Sequence, residues 1–187
     1  MLSQDLLDLQ SVVREFSQDI IRPQISEHYI REEFPLTIVN ELGKLGVFGI
    51  PFPEEFGGAG GSYFAFCLVI EELARVDSSV AITVDAAVSL GAMPILRFGT
   101  EEQKRRWLPE LCSGDRLGAF GLTEPEGGSD AANTKTTAVR EGQEWVISGE
   151  KSFITNAGPP ISSLITVTAI PSQGSTGTRE ISTFVIP

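Results

Sequence analysis

The sequence predicts an α+β protein in which an all-α helical domain, residues 1–114, precedes an antiparallel β-barrel or sandwich domain, residues 115–187. Apolar residues recur at helical spacing from the start to about residue 110. After Gly114-Asp115 the period switches to Thr/Val/Ile-rich alternation. With 187 residues, 41% of them hydrophobic, the chain can bury one large core or two small ones, and the change of period favours two.

Leu6, Leu9, Val13, Phe16 and Ile20 fall on one face of a first amphipathic helix, which Pro23 either ends or reopens. Pro35 suits the first turn of a second helix with Ile38, Leu42 and Leu45 inward and Gly46 as its left-handed cap. Val47 to Tyr63 holds Pro51, Pro53 and the glycines at 57, 58, 60 and 61, and reads as irregular loop. Phe64 to Val76 has the composition of a buried helix, and Asp77 or Ser78 caps another that runs toward Leu96, with Pro94 near its end. Thr100-Glu101-Glu102-Gln103 is a capping box opening a polar helix through Trp107. Strands are expected at Leu117–Leu122, Thr134–Arg140, Glu144–Ser148, Ser152–Thr155, Leu164–Ala169 and Ile181–Ile186, with Ser172–Thr178 as a polar link. A last strand running to Pro187 leaves an edge to be paired, so the chain is expected to belong to a longer protein or to meet another chain there.

Composition narrows the function. A net charge of −11 with scattered Lys and Arg argues against a nucleic-acid surface. No run of consecutive apolar residues reaches membrane-span length, and Met1-Leu2-Ser3-Gln4-Asp5 lacks a basic leader, so a cytoplasmic protein is expected, or a matrix one if the chain is a processed mitochondrial product. Cys67 and Cys112 lack metal or disulfide spacing and read as buried free thiols; no metal site is expected. His28, the single histidine, stands in a polar stretch without a nucleophile motif and reads as a surface residue. The glycine run at 57–61 lacks the Lys and Ser/Thr of a phosphate loop.

The densest constellation is Ala119-Phe-Gly-Leu-Thr-Glu-Pro-Glu-Gly-Gly-Ser-Asp130, followed after one hairpin by Gly149-Glu-Lys-Ser-Phe-Ile-Thr-Asn156. A strand that bends at Pro125, Gly127 and Gly128 frees backbone N–H groups for an acceptor-rich ring or an anion; the same residues also make ordinary turns, and composition alone leaves both readings open. Both strings resemble the signature of the acyl-CoA dehydrogenase family. So do Gly46-Val-Phe-Gly-Ile-Pro-Phe-Pro-Glu-Glu-Phe-Gly-Gly-Ala-Gly-Gly61 upstream, Ile70-Glu-Glu-Leu-Ala74, and Phe98-Gly-Thr-Glu-Glu-Gln-Lys104 through Trp107-Leu-Pro109.

That resemblance implies an FAD site. Phe120 to Ser129 would border the isoalloxazine ring, with Leu122 and Thr123 on its pyrimidine side. Phe153, Ile154 and Thr155 would form a second wall, with Phe153 packed on the ring and the Thr155 hydroxyl near N5. Ser129 would also touch the acyl-CoA substrate. Two departures stand out: Glu126 replaces a usually small residue, and Phe153 stands where many members have tryptophan. Glu124 reads as part of the turn, Glu71 and Glu72 as polar contacts of a helix, and Trp107 and Phe98 as core or domain-interface residues.

The implied reaction is α,β-dehydrogenation of an acyl-CoA, with no catalytic residue in this chain because family members take the base from a C-terminal helical domain. A homo-oligomer, dimer or tetramer, and an electron-transfer flavoprotein as acceptor are the implied partners. An acyl-CoA oxidase or a flavin monooxygenase on the same scaffold, or a non-catalytic interaction module, are the competing expectations.

Overall fold

The computed structural model describes residues 2–171 and 180–187, so the expected link at 172–178 lies outside the described residues. The first apolar stripe forms α1 (Gln4–Phe16), which continues through a π-helical stretch, Ser17–Ile21, into α2 (Arg22–Arg31). Pro23 therefore opens the second half without breaking the rod. Its ring cannot accept the usual i−4 packing, and the wider turn just before it, closed by Arg22 N–H donating to the Ser17 carbonyl, accommodates it. The same device recurs before Pro94: α5 (Ser78–Asp85) passes through a π stretch, Ala86–Ala92, into α6 (Met93–Phe98), and Met93 N–H donates to the Val88 carbonyl.

The other expected helices are α3 (Leu36–Lys44), α4 (Tyr63–Ala74) and α7 (Glu101–Ser113). Gly46 is left-handed as expected, at φ 79°, but Leu45 is exposed and Val39 takes the inward place beside Ile38 and Leu42. Asp77 accepts from Val80 N–H at 2.8 Å and caps α5. Both bonds of the Thr100–Gln103 capping box form. Buried Glu72 holds Arg14 of α1 through two bonds of 2.8 and 2.9 Å, which ties α4 to α1, while Glu71 pairs with Arg75. The helix over residues 78–98 is long and apolar enough to cross a membrane by length and composition; more than half of its apolar window is buried inside the fold, as befits a core helix.

Strands follow the helices: β1 (Leu117–Gly121), β2 (Thr137–Glu141), β3 (Glu144–Ser148), β4 (Ser162–Pro171) and β5 (Ser182–Ile186). The helices-then-sheet architecture holds, but the sheet is mixed, not purely antiparallel. β4 runs parallel to β1 and β2 and antiparallel to β5, and β2–β3 is an antiparallel hairpin. Local patterning reveals the hairpin, whereas parallel pairing joins strands separated by long crossovers that no short-range signal marks. The strand expected at Ser152–Thr155 does not form: Phe153 has φ 57° and Asn156 φ 69°, outside the extended region.

Sheet and helices meet at two glycines. A Cβ on Gly118 of β1 would lie 2.8 Å from the Gly91 Cα, so only bare backbones fit where the π stretch crosses the strand. Two further expectations need correction: Cys67 is exposed, Cys112 alone being buried, and His28 is half-buried, with its Nδ1 enclosed. Phe98 lies open to solvent, which excludes the core reading and leaves that of a domain-interface residue.

Candidate functional site

The two strings singled out in the sequence are joined in space. β1 ends at Gly121, and Glu124 to Gly127 close a tight turn through reciprocal N–H to carbonyl bonds of 3.0 Å. The segment after β3 then crosses beneath this turn. Ser152 N–H donates to the Thr123 carbonyl at 2.8 Å, and Lys151 Nζ donates to the Leu122 carbonyl at 3.1 Å. Gly121 permits the approach, since a Cβ there would sit 3.2 Å from the Lys151 Cγ.

Lys151 also forms an ion pair with Glu124 at 2.8 Å, with the two side chains only 6% and 4% exposed. Its ammonium reaches the hydroxyls of Thr134 at 2.9 Å and Thr168 at 3.1 Å as well. The Glu124 carboxylate accepts from the hydroxyls of Thr134 and Thr136 and from the N–H groups of Lys135 and Thr136. Burial pushes this carboxyl upward in pKa, but Lys151 and the threonine donors outweigh it and hold Glu124 well below the usual carboxylate range. Glu124 is a fixed anion. It is a structural acceptor and no proton carrier, consistent with its reading as part of the turn.

Above this clamp, Leu122 is exposed and Thr123 half-buried, facing a segment in which Ile154 and Thr155 are half-buried and Phe153 is 93% exposed. Among the described residues, the N–H and hydroxyl of Thr123 and of Thr155 make no hydrogen bond. Asn156 anchors the segment on the helices: its Nδ2 donates to the Thr83 carbonyl of α5 at 2.9 Å. An exposed aromatic ring on a left-handed residue, next to uncommitted donors from two backbone segments, is what a flat, acceptor-rich ring requires, so these residues fit a flavin.

Other expected site residues lie apart. Ser129 is exposed just past the turn, as is Glu126 within it. Phe120 pairs with Thr166 across β1 and β4, and lines a separate cleft of about 550 Å³ with Phe98, Trp107 and Val185. Sequence reasoning missed Lys151, Thr134 and Thr136. The available signal was a lysine in one string opposite a glutamate in the other, whose pairing only the fold reveals.

Comparison with known proteins gives the same family across the chain. Residues 3–115 match the acyl-CoA dehydrogenase N-terminal domain and residues 119–187 the acyl-CoA dehydrogenase middle domain. Among curated relatives, "Probable acyl-CoA dehydrogenase YngJ" of Bacillus subtilis is 43% identical over 187 residues, covering 98% of this chain and 49% of the relative. A glutaryl-CoA dehydrogenase of Mycobacterium smegmatis solved with FADH2 superposes with a TM-score of 0.90 at 35% identity, covering 100% of this chain and 46% of the other. A chain in the structure described as the electron transferring flavoprotein of Acidaminococcus fermentans gives 0.92 at 38% identity, covering 100% and 48%. This chain thus spans about half the length of the relatives it matches. On its helical and sheet regions alike, the chain belongs to the acyl-CoA dehydrogenase family.

Proposed function

We propose that these residues build one side of the FAD and acyl-CoA site of an enzyme that converts an acyl-CoA thioester to the enoyl-CoA. The observation that carries this reading is the pair of stitched segments, with unbonded Thr123 and Thr155 donors and an exposed Phe153 facing outward. When bound, FAD supplies a two-electron acceptor for the hydride that leaves the substrate β-carbon.

The N–H and hydroxyl of Thr123, with Leu122 beside it, hold the ring's pyrimidine side and stabilise negative charge that accumulates there. Fixed dipoles achieve this without reorganising at the moment of reaction. Ile154 and Thr155 form the facing wall and Phe153 covers it with an aromatic surface. Ser129, open beyond the turn, takes the acyl-CoA.

We place no catalytic base among these residues. The buried described carboxylates are each committed: Glu72 to Arg14, Asp77 to the α5 cap and Tyr29, and Glu124 to Lys151. By the same family reading, the whole protein is a soluble homo-oligomer, dimer or tetramer, that passes electrons to an electron-transfer flavoprotein. The reading divides the chain after Gly114, with helices to one side and strands to the other.

Anaerobic addition of a panel of acyl-CoAs to the FAD-loaded whole protein, beyond residues 1–187, is expected to bleach the flavin absorbance near about 450 nm for at least one acyl group. Failure of every acyl-CoA to bleach it would falsify the dehydrogenase reading.

A further inference from the structure

We propose that Lys151 is a positioning residue of the flavin site that polarises the Leu122–Thr123 peptide and so strengthens the Thr123 N–H as a donor to the cofactor. The inference rests on the functional reading above and adds a residue that touches neither ring nor substrate.

The carbonyl of Leu122 and the N–H of Thr123 belong to one peptide unit. Lys151 Nζ donates to that carbonyl at 3.1 Å from a site where its side chain is only 6% exposed. A full charge on one end of an amide, screened little by water, draws electron density toward the oxygen and leaves the N–H more acidic. The neighbouring Ser152 N–H bonds the Thr123 carbonyl at 2.8 Å, so the peptides on both sides of Thr123 are fixed by consecutive residues of the second string.

The ammonium is itself fixed. Four oxygens surround it: the Leu122 carbonyl, Glu124 Oε1 and the hydroxyls of Thr134 and Thr168, at 2.8 to 3.1 Å. Glu124 in turn is held by Thr136 and the start of the β2 segment, so cation and turn move together. Stability alone does not account for this arrangement. A buried ion pair gains little over apolar residues of the same shape, because removing both charges from water offsets their attraction. Its distinct consequence is a permanent charge aimed at a backbone unit whose N–H makes no hydrogen bond among the described residues.

The test removes both charges together, so that no buried ion is orphaned. In the whole protein carrying Glu124→Gln/Lys151→Met and loaded with FAD, stabilisation of the reduced flavin is expected to fall about tenfold, equivalent to a negative shift of about 30 mV in a two-electron couple. The turnover number should drop by a similar factor, with KM changing much less. Lys151→Arg, which keeps a cation beside Glu124, should restore most of the potential. Thermal midpoints and FAD affinities of all variants separate this from simple loss of structure.

An unchanged potential in a double variant that binds FAD would overturn the proposal while leaving the dehydrogenase reading intact. Absence of FAD binding in the parent protein would sink that reading instead. Should the double variant not fold, nitrogen-detected NMR of lysine side chains in the parent apo-protein decides the matter. A Lys151 ammonium protected from exchange and scalar-coupled to the Leu122 carbonyl is expected, and its absence refutes the proposal.

Discussion

Glu124 shows how far a residue's role departs from its sequence neighbourhood. In the sequence it is one acid in a turn; in the fold both its oxygens are bonded, at 5% exposure for the residue. Because its folded pKa is depressed, the stability it contributes is fully present above the unfolded carboxylate value of about 4.3 and is lost as pH falls through the lower folded value. Glu124→Gln leaves the Lys151 charge without its counter-ion, which costs about 3–5 kcal/mol near neutral pH. The stability gap between parent and variant, measured by urea unfolding, is therefore expected to be constant above about pH 5 and to narrow progressively below about pH 4. A gap that stayed constant down to pH 2 would show that the ionised carboxylate adds nothing. The residues of the proposed site, Leu122, Thr123, Phe153, Ile154 and Thr155, come from two motifs, since each motif keeps its residues in a contiguous run. Lys151 and Glu124 were both in view but their pairing was not, because the ion pair spans 27 residues.

Elements were legible where local rules decide. The capping box at Thr100, the Asp77 cap and the left-handed Gly46 all follow from residue types that satisfy or release backbone groups within one turn. The failed strand at Ser152–Thr155 marks the opposite case. Its residues suit a strand, but bonds from Lys151 and Ser152 to the turn and from Asn156 to α5 hold the backbone elsewhere, and tertiary contacts override propensity. The crossing of the π stretch over β1 belongs to the same scale. Gly118→Ala would place a Cβ 2.8 Å from backbone that no rotamer change relieves, and the expected loss is about 1–3 kcal/mol by thermal or urea unfolding. An alanine variant as stable as the parent would show that helix and sheet separate freely at this contact.

At the scale of the whole molecule, α4 and the long helix keep large apolar side chains in the open: Phe64, Ile82, Leu90 and Phe98 are 54%, 51%, 46% and 89% exposed. Spread over several turns, such surface is normally covered in a functioning assembly. The chain of residues 1–187 on its own is expected to self-associate in light scattering, and a monodisperse monomer at micromolar concentration would count against it. The sequence by itself determined the order of helices before strands, most helix ends and the two motifs that carry the proposed site. Each of these rests on a period of 3.6 or 2, or on a backbone freedom, that a short window contains. Only the tertiary structure decided that the sheet is mixed, that Phe120 faces a different cleft from Thr123, and that Lys151 closes on Glu124 against the bend after β1. Those outcomes depend on which distant segments share a surface, a quantity set by packing and by the requirement that buried charges find partners.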